Sequence, residues 1–535
     1  MHHNFHIGID LDNTILAYLP LFHRLGREKG WLDDSSFPDK ASLKQGLVRG
    51  TRGDRDAGEQ RWQQLQAWVY GPYIGQAEEF PGFRNWVFQQ RKAGYQLSIV
   101  SHKSERSHFD PEVPIREHAR RSLRERGFFL PLNQGGLGFE EREVFFEDHR
   151  EAKIHRIHSL GITHFIDDLP AVLSHPEFPT GVQPLLFGES SHKGIPGFAS
   201  WAELQSFTQL LPYLQQTLLT LWEPIEGGGN NRLFRLHLEN RSPLVLKTYW
   251  QDPEQQRNRK EAEWSYLSFL AQHLPDQAPE PIANISDGIL MTELPGLSPK
   301  DRHEPVARAM STFLGTLANL DQLNPSNLRP AAHARFRLRG FVEDLNQRFE
   351  SLVEASQNLP EVADLIREKI DPLKTKAEHH FHQRCLQFGL DPDKELPAAL
   401  HFPSPSDFGP HNAVEDEEGK IRFIDFEYAG WDDPAKLMAD MFHHVGHHMP
   451  AKTRCRLIEA FFSANTKDPE LRHRFIAVAD LVGVEWILIV LNVLTRAEAQ
   501  RKTFAGAGKK LIPARIQRAK ALCDEFRWID NHFPH

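Results

Sequence analysis

The spacing of apolar and polar positions changes character along this chain. Three short apolar runs each lead into a polar residue. Residues 5–10 (FHIGID) end on Asp10, residues 95–100 (YQLSIV) lead into Ser101, and residues 162–166 (ITHFI) lead into Asp167 and Asp168. Continuous apolar runs of this length predict buried strands of a parallel sheet. Ligands of such sheets gather at the carboxyl ends of the strands, so the three endings predict one shared site. Residues 17–85 read as helical, with aromatics in RWQQLQAWVYGPY at 61–73, and KIHRIHSLG from Lys153 opens another helical stretch. A strand at 181–188 and an amphipathic helix at 206–222 follow. The pattern then restarts. Strands at 232–238 and 244–249 flank an ENRS turn, a helix covers 259–274, and 288–296 (GILMTELPG) reads as a strand running into a Pro-Gly turn. Residues 326–395 carry several charged helical stretches. The most apolar late segment, 481–494, contains Glu485 and is too short for a membrane span, which predicts a buried helix.

At 535 residues the chain exceeds one ordinary core and predicts two or three domains. The expected divisions are 1–200, with a helical insertion at about 17–85, a connecting helix at 201–221, 222–296, and 297–535. Pro and Gly near 194–197 and at Pro224 mark turns, not a long linker. The net charge of −9 comes with no long basic tract, which argues against a nucleic-acid surface. Cys385, Cys455 and Cys523 lie far apart and form no ligand pair, so a reducing, cytoplasmic setting is expected. HIGIDLD reads as a strand, not as a signal segment. No membrane insertion is expected. The 29 histidines are scattered, and those at 379, 380 and 382 read as a solvent-facing helix surface, with no paired acid or cysteine to make a metal site.

The first site draws its chemistry from DLDNT at 10–14. A carboxylate can attack phosphorus, and a second can protonate the leaving oxygen and then activate water. A hard divalent cation takes oxygen ligands, while a lysine and a hydroxyl can hold the remaining phosphate oxygens. Asp10, Asp12, Ser101, Lys153, Asp167 and Asp168 make such a set in chain order. Residues 5–190 resemble the haloacid-dehalogenase-like hydrolase superfamily. The resemblance implies a Rossmann-like α/β fold with a small helical cap and a soluble phosphorylated metabolite as substrate. It implies Asp10 as nucleophile, Asp12 as general acid/base, Ser101 and Lys153 on the phosphate, and Thr14 and Asp168 in support. It also implies magnesium on Asp10, Asp167 and the carbonyl of Asp12. Lys103, Arg106, Arg49 and Arg52 are candidate substrate contacts, though each alone reads as a solvated surface charge.

The second site begins with three glycines, Gly227, Gly228 and Gly229, and Asn230, before a strand. Glycines let backbone amides approach phosphates, and Lys247 in the next strand can pair with them. Glu261 and Glu263 could both orient Lys247; Glu263 shares a helix face with Leu267 and Leu270 and points inward more readily. Further on come SDFGPHN at 406–412 and FIDFEYAG at 423–430. Residues 222–445 resemble the aminoglycoside phosphotransferase and choline kinase-like family, which shares the bilobal α+β protein-kinase fold. The resemblance implies ATP as donor and a small-molecule hydroxyl as acceptor. It implies Asp407 as the catalytic acid, Asn412 and Asp425 on magnesium, and Glu427 in support. Lys247 and the glycine loop would hold the phosphates, and a hinge that includes Glu293 the adenine. The family pattern His-Gly-Asp is replaced by Pro405-Ser406-Asp407, so the histidine that braces the loop is missing. Asp432 or Asp433 reads as the cap of a helix opening at Pro434.

Together these readings predict a bifunctional Mg-dependent phosphomonoesterase and ATP-dependent phosphotransferase. The expected setting is phosphorylated-sugar metabolism leading to surface-polysaccharide precursors. Two alternatives stand beside it: a kinase for an amino alcohol, nucleoside-like compound or aminoglycoside, with a phosphatase partner domain, and a chain in which one half is an inactive scaffold.

Overall fold

The computed structural model describes residues 5–33, 37–214, 217–225, 231–250, 258–299, 301–320, 328–357, 359–494 and 512–534. The chain divides into two compact units. One comprises Met1–Glu223 and Arg235–Pro243, the other Pro224–Phe234 and Leu244–His535.

The first unit is built on a sheet whose described strands run in the order Val144–Glu147, Gln96–His102, His6–Ile9, His164–Asp167, Gln183–Phe187, Gly197–Phe198. Neighbours pair in parallel throughout. Ile7, Ile9, Leu97, Ile99, Phe165 and Ile166 are fully buried, as expected where a parallel sheet is covered on both faces. The first strand lies inside the sheet, and the chain changes sides around it. That change of direction opens a crevice at the carboxyl ends of the strands. Gly8 permits the tight packing there, because a Cβ at this position would lie 2.6 Å from both Ile162 Cδ1 and Phe165 Cδ2.

The segment after the first strand is helical, as its pattern predicts: Leu19–Glu28, Lys40–Arg49 and Arg55–Tyr70. Asp39 and Ser42 form a capping box on the second helix and Asp54 caps the third. Phe22 stacks on Trp62 at 5.0 Å, and Tyr18 meets Tyr70 edge-on at 5.0 Å. The expected connecting helix at 201–221 is shorter. It runs Trp201–Leu214, contains Pro212, and gives way to the strand Leu219–Ile225. Alternation in LTLWEPI favours a half-buried strand there over a continued helix.

In the second unit, the strands Pro281–Asn284, Gly288–Thr292 and Leu244–Tyr249 lie side by side in a second sheet. Lys247 pairs with Ile289 in its antiparallel register. The helix Arg259–His273 is capped by Asn258, whose side chain accepts the Glu261 N–H.

The rest of the second unit is mostly helical and surrounds Leu471–Leu491. This helix, with the turn to Leu494, is long and apolar enough to cross a membrane, and 78% of its most apolar window is buried inside the protein. It packs against Pro434–His443, Asp371–Phe388, Arg339–Ala355 and Ile512–Asp524. The buried helix starts at Leu471, ahead of the 481–494 run, because Asp480, which bounds that run, is itself buried. Glu485 binds Arg335 through both oxygens at 2.8 Å and Arg348 at 2.8 Å. Arg335 and Arg348 outweigh the penalty of burial and pull its carboxyl down to about 2. Asp480 receives Arg384 at 2.8 Å and His380 at 3.0 Å. His380 is therefore not on a solvent-facing surface; the acid that holds it lies on a distant helix.

Removing Glu485 leaves the buried Arg335 guanidinium with only Asp344. Glu485→Ala is expected to destabilise this unit by about 3–5 kcal/mol, visible as a lowered Tm in differential scanning calorimetry. An unchanged Tm would contradict this account.

Candidate functional site

In the first unit, Asp10 directly follows the central strand, and its N–H donates to the Ile166 carbonyl at 2.8 Å. The parallel pairing sets it beside Asp167, the last residue of the neighbouring strand. Lys153, on the helix Arg150–Ser159, reaches Asp10 Oδ1 and Asp167 Oδ2, each at 2.6 Å. All three side chains are buried. Burial alone would favour neutral lysine, but the carboxylates of Asp10 and Asp167 outweigh it and hold the ammonium above its ordinary pKa.

Asp10 Oδ2 accepts the N–H of Asp12 at 2.7 Å. Asp12 in turn accepts from Tyr18 Oη at 2.9 Å and from Lys103 Nζ at 2.8 and 3.0 Å. Lys103, read from sequence as a solvated charge, is buried beside the rings of Tyr18 and Tyr70, at 5.6 and 5.1 Å. Its partner lies on another loop, so nothing in the neighbouring sequence reports it. Trp201 was also missed: its indole N–H donates to the Thr14 carbonyl at 3.1 Å and pins the loop that carries Asp10 and Asp12. The hydroxyls of Thr14 and Ser101 are buried without hydrogen-bond partners.

Carboxylate oxygens of Asp10, Asp167 and Asp168 lie within 4.8 Å of one another. Burial, then the charges of Asp10 and Asp167, push Asp168 from 3.8 to about 8. Burial raises Asp167 to about 6, with Lys153 opposing and Asp10 adding to the rise. Crowded, hard oxygen donors with unrelieved negative charge fit a divalent cation.

In the second unit, two nested antiparallel pairings shape the site. Phe402–Ser404 pairs with Gly430–Asp432, and inside it Ala413–Glu415 pairs with Ile421–Phe423. The loops between them, 405–412 and 424–429, are thereby held side by side. The Ile424 N–H donates to the Asn412 carbonyl at 2.9 Å. Asp407 lies on one loop and Asp425 on the other. The residue after each acid is an inward anchor: the Phe408 and Phe426 rings stack on Phe313 at 5.0 and 6.4 Å. The acids themselves stay partly open, with 34% of the Asp407 side chain and 40% of the Asp425 side chain exposed.

Lys247 Nζ lies 2.6 Å from Glu263 Oε2 and 2.5 Å from Asp425 Oδ1. Tyr249 Oη donates to Glu263 Oε2 at 2.7 Å, and the Phe426 N–H to Glu263 Oε1 at 3.3 Å. Glu261 instead accepts from Asn284 at 3.1 Å, so the inward residue of the two is Glu263. Asn231 Nδ2 donates to Glu427 Oε2 at 2.7 Å. Asn412 Nδ2 donates to the Asp407 carbonyl at 2.9 Å, which leaves its amide oxygen for a cation. Burial drives Asp425 up to about 6 against the pull of Lys247, with Glu427 and Glu263 adding to the rise. Glu263, Asp425 and Glu427 form a second crowded oxygen cluster within 4.8 Å, again suited to a hard cation. Glu293 follows the strand Gly288–Thr292 directly and is half-buried. Gly227, Gly228, Gly229 and Asn230 lie outside the described residues. Asp433 caps the helix Pro434–His443, while Asp432 is buried and accepts the Arg335 N–H at 2.9 Å.

Sequence reasoning missed the histidines at Asp407. His411 Nε2 and His444 Nε2 approach Asp407 Oδ1 at 3.0 and 2.7 Å. Burial would raise the Asp407 carboxyl, but these hydrogen bonds prevail and hold it far below the usual range. The only signal was the histidine-rich run 443–448 after the capped helix.

Residues 221–475 match the family described as the phosphotransferase enzyme family. This part of the chain is a kinase-like phosphotransferase domain. No curated protein matches the chain. Among solved structures, the chain is similar to a Plasmodium vivax ethanolamine kinase at 16% identity, over 62% of this chain and 90% of that one, with a TM-score of 0.41. A choline kinase from Cryptosporidium parvum matches at 15% identity over 57% and 90%, with a TM-score of 0.36. Choline kinase LicA from Streptococcus pneumoniae matches at 15% identity over 61% and 99%, with a TM-score of 0.38.

The crowding in the first unit has a measurable consequence. The folded pKa of Asp168 lies above its ordinary 3.8, so ionising it weakens the fold. That penalty is absent at or below about pH 4, grows as pH rises, and levels off above about pH 8. In EDTA at pH 8.5, Asp168→Asn is expected to melt at a higher temperature than the native chain. Added Mg2+ should raise the Tm of the native chain more than that of the variant. A lower Tm for the variant in EDTA would contradict the crowding.

Proposed function

We propose that the chain is a two-site enzyme for small phosphorylated metabolites, a phosphomonoesterase in the first unit and an ATP-dependent hydroxyl kinase in the second. The observation that carries the kinase reading is the joining of Lys247, Glu263 and Asp425 at 2.5–2.6 Å, beside a loop that presents Asp407. Asp407 would orient the acceptor hydroxyl and take its proton as the hydroxyl oxygen bonds to the γ-phosphorus and the bond to ADP breaks. Lys247 would stabilise charge on the phosphates, with Glu263 and Tyr249 holding it in place. The loop of Gly227, Gly228, Gly229 and Asn230, with the segment around Glu293, would take the rest of ATP. Magnesium held by Asn412 and Asp425, with Glu427 in support, would neutralise the triphosphate.

The first unit reads as a haloacid-dehalogenase-like hydrolase, supported by its parallel sheet and the acids at the point where the chain changes sides. Asp10 would attack phosphorus, forming an aspartyl-phosphate as the bond to the substrate oxygen breaks. Asp12 would give that oxygen its proton. It would then take a proton from the water that attacks the same phosphorus, releasing phosphate and restoring Asp10. Lys153 and Ser101 would hold the phosphate oxygens. Lys103 and Tyr18 would hold Asp12 in line, with Thr14 fixing the loop. Magnesium held by Asp10, Asp167, the Asp12 carbonyl and Asp168 would offset the phosphate charge.

Opposed activities on one hydroxyl would only consume ATP. Activities at different positions of a phosphorylated sugar would yield a product with its phosphate moved, such as a sugar 1-phosphate ready for nucleotide activation. That need for two positions favours the sugar reading and a place in surface-polysaccharide precursor synthesis.

Asp10→Asn is expected to abolish phosphoenzyme formation and to lower phosphate release from a generic monoester by on the order of 10²–10⁴-fold. Kinase activity should persist. Unchanged phosphate release would rule the mechanism out.

Asp407→Asn and Asp425→Asn should each suppress ATP-dependent transfer, read as ADP formation with product mass spectrometry. Only Asp425→Asn should also weaken Mg–ATP binding, by isothermal titration. Neither should stop phosphate release at the other site. Full transfer by Asp425→Asn would refute the metal assignment.

A further inference from the structure

His444 is the first residue after the helix Pro434–His443. Its two ring nitrogens have different partners. Nδ1 accepts the Gly446 N–H at 3.0 Å, and Nε2 meets Asp407 Oδ1 at 2.7 Å. A nitrogen that accepts from a backbone N–H carries no proton. In the neutral ring the proton is therefore on Nε2 and is donated to Asp407. Burial disfavours the charged imidazolium at His444, and more strongly at His447. The groups facing His444 are Asp407 and His411 from the 405–412 loop, Asp440 on its own helix, and His447. Arg454 on the helix Ala451–Ala464 bonds the His444 carbonyl at 3.2 Å.

The ring is packed closely by three others. It lies 4.6 Å from His411 and 4.2 Å from His447, stacked on each, and 4.2 Å from Trp486. His447 is itself locked over the loop, since a Cβ at Gly409 would fall 1.7 Å from its Nε2. The ligand nitrogens of His411, His444 and His447 lie within 4.8 Å of one another. With the His444 Nε2 already protonated, the cluster is not built as a metal site.

We infer that His444 is a positioning residue for the kinase: its Nε2–H fixes Asp407 through Oδ1 and leaves Oδ2 to receive the acceptor hydroxyl. This rests on the kinase reading above. His411 approaches the same oxygen, so both imidazoles restrain one edge of the carboxylate. A carboxylate free to rotate would spend little time in line for transfer. His444 touches neither nucleotide nor acceptor in this assignment; it acts through Asp407.

The test combines two measurements on the full chain. Long-range 1H–15N spectra of 15N-histidine-labelled protein, with His444 assigned by its loss in His444→Gln, are expected to show a proton on Nε2 and none on Nδ1. A proton on Nδ1 would overturn the inference. Kinetics would use Mg–ATP with choline, ethanolamine, gentamicin, hexoses and hexose phosphates as acceptor probes. His444→Leu should lower kcat about 10- to 100-fold, the loss of one hydrogen bond to a charged group, with KM for ATP unchanged. His444→Gln keeps an N–H donor at the same reach and should recover most of kcat. Equal loss in both variants, in protein with an unchanged Tm, would overturn the positioning role. A native chain that shows the Nε2 proton but transfers to no acceptor would instead bring down the kinase reading, and the role with it, leaving the hydrogen bond intact.

Discussion

A buried ammonium held between two carboxylates recurs in both units, and each site depends on it. Lys153 bridges Asp10 and Asp167, and Lys247 bridges Glu263 and Asp425, all within 2.5–2.6 Å. Two carboxylates this close would repel and drive one another towards the neutral form. One lysine makes the arrangement tolerable without balancing it. The residue of negative charge appears as the raised carboxyls of Asp167, Asp168 and Asp425. Both sites are thus folded around an incomplete charge balance that a hard cation can complete.

The scaffolds around the two lysines are unrelated. In the first unit, parallel pairing alone brings Asp10 and Asp167 to adjoining strand ends, and a helix supplies Lys153. In the second, Lys247 lies on an antiparallel strand and Glu263 on a helix, and nested hairpins deliver Asp425. Either route fixes the geometry through backbone hydrogen bonds made before any ligand arrives.

What could be read from the sequence was local. Apolar runs that lead into polar residues located the strands around Asp10, Ser101 and Asp167, and helical spacing favoured Glu263 over Glu261. Contacts made across the fold left no such trace. Lys103 looks like a surface lysine until Asp12 is placed opposite it, and Trp201 looks like a core residue until its N–H is found on the Thr14 carbonyl. A polar residue that pairs inside an apolar helix misled in the opposite sense: Asp480 made a long buried helix look shorter than it is. The end of the helix Trp201–Leu214 was overrun because an apolar helix and a following half-buried strand have similar composition over a few residues.

The loop that carries Asp407 shows how a missing residue changes the solution without changing the constraint. Ser406 adopts a left-handed backbone, φ 64°, where glycine is the unstrained choice. Pro405 keeps Ser404 extended, which suits its pairing with Gly430, and the Ser404 hydroxyl accepts the Ser406 N–H at 3.1 Å. The turn is thus tied down from its N-terminal side by proline and serine. The Ser404 hydroxyl is turned to the backbone of its own loop, and the contacts made to the Asp407 carboxylate come from two imidazoles. His411 restrains it from within the loop, and His444, just past the end of the helix Pro434–His443, restrains it from elsewhere in space. A histidine there inherits a fixed ring orientation from the Gly446 N–H and from Trp486, so it can hold Asp407 without being part of the loop it steadies.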